Sequence, residues 1–109
     1  MSEPSATVAD NPDRSRYDVQ IDGDTAGFAA YRRLDDRLVF THTEIDDRFG
    51  GRGLGSVLAH AALDDARRQG LLVTPQCPFI AHFIRTHQEY ADLVDPEHAD
   101  DVRPDDSRS

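Results

Sequence analysis

Glu44-Ile45-Asp46-Asp47-Arg48-Phe49-Gly50-Gly51-Arg52-Gly53-Leu54-Gly55-Ser56 is the most informative stretch of this chain. An alternating segment gives way there to a glycine-rich loop and then to helical periodicity. Four glycines within six residues leave successive backbone N–H groups uncovered by side chains. Those groups and the following helix N-terminus attract anions, phosphate above all. A nucleoside-triphosphatase loop needs a Lys and then Ser or Thr after its last glycine, and Ser56 follows Gly55 in a chain with no lysine. A dinucleotide fingerprint needs a third glycine three positions after the second, whereas Gly51, Gly53 and Gly55 are spaced two and two.

Working outward, period-two alternation in Arg37 to Glu44 predicts a strand with Leu38, Phe40, His42 and Glu44 on one face and Val39, Thr41, Thr43 and Ile45 on the other. The first face turns from apolar to ionisable as it nears the loop. Upstream, Tyr17 to Ile21 and Ala26 to Leu34 also read as strands, and the acidic turns Asp22-Gly23-Asp24 and Asp35-Asp36 make the three an antiparallel meander. Downstream, Leu54, Val57, Leu58, Ala61, Ala62 and Ala66 recur at helical spacing until Gln69-Gly70 stops the helix. Leu71-Leu72-Val73 is then a short buried strand, parallel to the one before the loop with the helix as crossover. Pro78 suits a first helical position, with Phe79, Ile80, Phe83 and Ile84 as the apolar stripe of a second helix and Tyr90, Leu93 and Val94 folding back on the sheet. The expected fold class is α/β (α+β): a mixed sheet with an antiparallel meander, a crossover helix and a second helix after the last strand.

Three blocks, His42-Thr43-Glu44-Ile45, Gly51-Arg52-Gly53-Leu54-Gly55-Ser56 and Pro75-Gln76-Cys77-Pro78-Phe79, occur in an order that resembles the GNAT superfamily of N-acetyltransferases. Within it they look like the compact YjdJ-type branch, over roughly Tyr17 to Val94. The superfamily usually opens its loop with Gln or Arg; this chain has Gly50 and keeps only the backbone donors there. The resemblance implies that the two parallel strands splay apart to admit the pantetheine arm of acetyl-coenzyme A. It also implies that the loop, Asp47, Arg48, Gly50, Gly51, Arg52, Gly53, Leu54, Gly55 and Ser56, holds the pyrophosphate, with strand-end amides near Ile45 bonding the pantetheine.

Transfer of an acyl group from a thioester to an amine needs a base for the amine proton and polarisation of the carbonyl. Glu44 is the candidate base, with His42 orienting or replacing it. Cys77, expected at a helix N-terminus that favours a thiolate, is a candidate acid for the departing thiol or a nucleophile. Each has a plainer reading: Cys77 as a small core residue, His42 and Glu44 as a solvated strand end. Two functions follow, an N-acyltransferase for an amine or peptide acceptor, or a non-catalytic module binding coenzyme A or its acyl form.

Length and charge bound these readings. The 109 residues make one small domain. Residues 1–14 are expected to be a disordered N-terminal tail, residues 15–94 the domain, and residues 95–109, with six acids and two arginines, an acidic disordered tail. A net charge of −9 argues against nucleic acid and anionic membrane surfaces as partners. His82 and His87 do not share a helix face, which argues against a metal site. One cysteine, no apolar run of membrane length and no signal-like start make a reducing cytoplasm the expected location, for a monomer or weak homodimer.

Overall fold

In the computed structural model, residues 6–50 and 53–103 are described. The alternating segments form an antiparallel run of β1 (Ala6–Asn11), β2 (Arg16–Ile21), β3 (Asp24–Arg33) and β4 (Arg37–Ile45). The turns between them are tight, and Ser15, Asp22 and Gly23 carry the positive φ that such reversals require. Helix α1 (Leu54–Gln69) then crosses to β5 (Leu72–Pro75), which pairs parallel with β4 and completes the order β1-β2-β3-β4-β5. Helix α2 (Pro78–Thr86) follows, with short 3-10 segments at Gln88–Leu93 and Pro96–Val102.

The core lies between α1, α2 and one face of the sheet. Leu58, Ala59, Ala62, Leu63 and Ala66 of α1 are fully buried and share a cluster with Tyr17, Val19, Ala29, Phe40 and Val73. The alanines let the helix sit close to the strands. Gly70, at φ 73°, closes α1 by donating to Ala66 O and Arg67 O, as the Gln69-Gly70 stop predicts. Val94 bridges Val73, so the chain after α2 does fold back on the sheet.

Three expectations are corrected. The N-terminal tail is not wholly disordered: Ala6–Asn11 is strand β1, paired from Ala6 with Ile21 to Asn11 with Arg16. Its few apolar residues hid it, because half of an edge strand faces solvent and Asp10 is used to accept from Tyr31 Oη at 2.5 Å. The C-terminal tail is likewise ordered through Pro96–Val102, with Val102 buried and Asp95 capping the turn by accepting from Glu97 N. Residues 1–5 and 104–109 of the two expected tails lie outside the described residues.

The third correction concerns β4. Phe40 pairs with Tyr31 but His42 pairs with Ala30, so Thr41 is an extra residue, a β-bulge. One extra residue inverts the faces beyond it. Leu38 and Phe40 point into the core as expected, while His42 and Glu44 point to the opposite side and Thr43 and Ile45 turn inward, Ile45 packing against the core.

Candidate functional site

The parallel pairing of β4 with β5 ends at Phe40 and Pro75. Cys77 N still donates to Phe40 O at 2.8 Å, and then β5 gives way to α2 while β4 runs on to Ile45, paired with β3 on its other side. An uncovered strand edge therefore leads directly to the glycine loop. Open α/β sheets offer ligands this kind of crevice at the carboxyl ends of their strands.

Asp46 turns the chain out of β4. Its carboxylate accepts from Arg48 N at 2.9 Å and from the Arg48 guanidinium at 3.3 Å. The Arg48 backbone N–H, and then its guanidinium, hold the Asp46 carboxyl below the usual carboxylate range. This bracket fixes the 3-10 turn Asp47–Phe49, which Gly50 closes by donating to Asp47 O. Gly51 and Arg52 lie outside the described residues.

Gly53 caps α1 in the left-handed region, at φ 73°, and among the described residues no side chain caps the helix. Among the described residues, nothing beyond its chain neighbours lies within 4 Å of where a Cβ at Gly53 would stand. The first turn, Leu54, Gly55 and Ser56, contains no acid. A helix end without a side-chain cap or a carboxylate presents its N–H groups and its positive dipole end to an anion. Leu54 is buried and Ser56 exposed, so the side chains of this turn serve different ends. The described residues suit a pyrophosphate and a pantetheine arm: helix donors with no described side-chain cap, and a stretch of β4 beyond Phe40 that β5 leaves unpaired.

His42 and Glu44 are brought together, Nε2 to Oε1 at 3.0 Å, with both side chains mostly exposed. Glu44 lines a cavity of about 450 Å³ with Arg16, Thr25, Phe28, Asp46 and Asp47. Arg16 stacks on Phe28, 4.6 Å from the ring centroid, and pairs with Asp18 at 2.7 Å. Gly27 forms part of the wall because β3 and β4 approach closely there: an added Cβ would stand 2.6 Å from Glu44 O and 2.5 Å from Ile45 Cδ1. With three carboxylates and one guanidinium, the lining is net acidic.

Cys77 is separated from that pair. It precedes α2 as expected, but its side chain is buried and faces inward, Sγ donating to Thr43 Oγ1 at 3.4 Å. The bulge at Thr41 is what sends Thr43 to this thiol and Glu44 to the other side. Sequence reading did not single out Thr43, Thr25, Phe28 or Arg16; no local signal marks a bulge, and cavity walls come from three separate strands. Elsewhere, ligand atoms of Asp95, Glu97 and His98 lie within 4.8 Å of one another, but Arg37 already pairs with Asp95.

Residues 16–93 match the family of GCN5-related N-acetyl-transferases. The chain is 39% identical over 70 residues to streptothricin acetyltransferase of Streptomyces lavendulae, an alignment that covers 62% of this chain and 37% of that enzyme. The chain therefore spans little more than a third of the length of that curated relative. A GCN5-like protein from Staphylococcus aureus, known from its NMR solution structure, has the same fold at TM-score 0.61, 23% identity, and coverage of 86% of this chain and 90% of the other. The family match covers the meander from β2 to β4, the parallel β4–β5 pair, the glycine loop and both helices, and on that extent this chain belongs to the GCN5-related N-acetyl-transferase family.

Proposed function

We propose that the protein is a small N-acyltransferase, of the compact YjdJ-type branch and cytoplasmic, that moves an acetyl group from acetyl-coenzyme A to an amine. The observation that carries this reading is the uncovered edge of β4 running into a helix N-terminus that no side chain caps. Acetyl-coenzyme A supplies the activated acyl group. The backbone of Gly50, Gly51, Gly53, Leu54, Gly55 and Ser56 binds its pyrophosphate, Arg48 and Arg52 offset local negative charge beside Asp47, and the main chain near Ile45 orients the acyl end.

Glu44 is the base: its Oε1 takes the amine proton while His42 Nε2, 3.0 Å away, fixes its orientation. The acceptor reaches Glu44 through the adjoining cavity, whose acidic lining suits an amine. Cys77 Sγ, a donor toward Thr43 in the fold, supports the role of acid for the departing thiolate. In the alternative route Sγ attacks the thioester carbonyl and expels coenzyme A as its thiol, and the amine then attacks the acyl-cysteine, its proton passing to the departing Cys77 thiolate. The named substrate of the Streptomyces relative, streptothricin, is not carried over, because so much of that enzyme has no counterpart here. A second reading, a coenzyme A-binding module of the same fold, draws support from the exposure of His42 and Glu44.

Calorimetric titration with acetyl-coenzyme A, followed by intact mass and then by thiol release with a panel of amines, tests these readings. Expected are binding, turnover, and a loss of about 10²–10⁴-fold in turnover for Glu44→Gln with binding kept. Binding with no turnover for any amine selects the module, and an acetyl mass gain lost in Cys77→Ala selects the acyl-cysteine route. Absence of binding at near-millimolar ligand refutes both.

A further inference from the structure

Phe79 stands apart from the other apolar residues of α2. Ile80, Ala81, Phe83 and Ile84 are buried in the core, whereas Phe79 is 37% exposed at the start of the helix, beside Pro78. Its ring is nevertheless seated: a Cβ added at Gly55 would stand 2.7 Å from its Cζ and 3.2 and 3.3 Å from the two Cε carbons. The ring therefore reaches from the first turn of the helix that follows β5 to the first turn of the helix that follows β4. Both of those turns lie at the carboxyl ends of the parallel pair, past its last paired residues Phe40 and Pro75.

Gly55 sits inside a helix, at a φ that any residue could adopt, where alanine would favour helix formation. The ring contact gives the reason for a glycine there. Nothing in that reason concerns phosphate. A half-exposed aromatic ring held in place by a missing Cβ, beside the first turn of α1, is a prepaid contact surface: its orientation is set before a ligand arrives.

We infer that Phe79, seated on Gly55, positions the pantetheine arm of coenzyme A where it leaves the loop and passes the carboxyl ends of β4 and β5. This rests on the coenzyme A reading of the loop. It makes Phe79 a positioning residue, with Gly55 serving the ring.

The test compares two ligands by calorimetry: coenzyme A, and 3′-phosphoadenosine 5′-diphosphate, its nucleotide half, which has the phosphates and lacks the arm. Phe79→Ala is expected to weaken coenzyme A about tenfold, equivalent to about 1.4 kcal/mol, and to change affinity for the nucleotide half less than twofold. Phe79→Tyr restores coenzyme A affinity. Gly55→Ala displaces the ring and weakens coenzyme A in the unaltered background, with no further loss in Phe79→Ala. Unchanged coenzyme A affinity in Phe79→Ala, or equal losses for both ligands, overturns this assignment alone. If the unaltered protein binds neither ligand, the coenzyme A reading falls and the assignment with it.

Discussion

Gly53 and Gly27 are glycines for different physical reasons, and each reason makes a prediction. Gly53 holds φ 73° at the start of α1, with no described residue beyond its chain neighbours within 4 Å of a built Cβ. A branched side chain there is strained by roughly 1–2 kcal/mol and covers the donors of the loop. Gly53→Val is expected to retain the circular dichroism of the fold while losing coenzyme A affinity; unchanged affinity would count against the cradle. Gly27 has an ordinary φ but no room, with Glu44 O 2.6 Å from a built Cβ. Gly27→Ala must push β3 from β4 at the bulged end, and a loss of about 1–3 kcal/mol in denaturant unfolding is expected. The left-handed position of Gly53 sits within a glycine cluster that the sequence displays directly. Gly27 was not legible in that way, since its constraint comes from a strand almost twenty residues away in the chain.

At the scale of elements, β1 depends on contacts that no periodicity announces. Ala6–Asn11 forms an edge strand over α1, and its Asp10 accepts the Tyr31 hydroxyl while Asn11 donates to Asp18 at 3.1 Å. Deleting residues 1–11 is expected to lower the unfolding midpoint and to raise amide exchange in β2, whose outer ladder is then open to water. Tyr31→Phe alone should cost about 1–2 kcal/mol by removing one hydrogen bond to a carboxylate. If the deletion leaves both stability and exchange unchanged, β1 contributes nothing to the fold. The helices were easier to foresee. Their apolar stripes and stop signals are local, and α1 and α2 begin and end within a residue or so of where Gly53, Gly70 and Pro78 put them.

Over the whole molecule, charge and burial combine into a pH dependence. The Arg48 backbone N–H and guanidinium depress Asp46, the Arg67 guanidinium depresses Asp92, and the Glu97 backbone N–H, with Thr74 and Arg37, depresses Asp95. A depressed carboxyl binds its proton later in the folded state, so its stabilisation is present above the ordinary carboxylate range, about pH 4, and is lost as pH falls through the folded values. All three tyrosines move the other way, through burial first and then hydrogen bonds to Asp65, Asp10 and Asp64; Tyr90 is pushed up to about 12. Their contribution is present below about pH 10 and is lost as pH rises through those raised values. Stability by denaturant unfolding should therefore fall on both sides of a neutral plateau, with Asp95→Asn flattening the acid limb. Phenolate absorbance should appear near pH 10 in the unfolded chain and later in the folded one; coincident titrations would refute the buried tyrosine–aspartate pairs.

The sequence by itself determined the mixed sheet and the crossover through α1, because alternation and helical spacing are properties of neighbouring residues; the family came from the resemblance of three residue blocks, which the match over residues 16–93 bears out. Only the tertiary structure decided which side of the sheet each reactive group occupies. One extra residue at Thr41 inverts every side chain after it, and a register shift of that kind is set by the pairing of two strands rather than by either alone. That shift parts Glu44 from the core, turns Thr43 toward the Cys77 thiol, and leaves the loop with acidic and thiol chemistry on opposite faces of one strand.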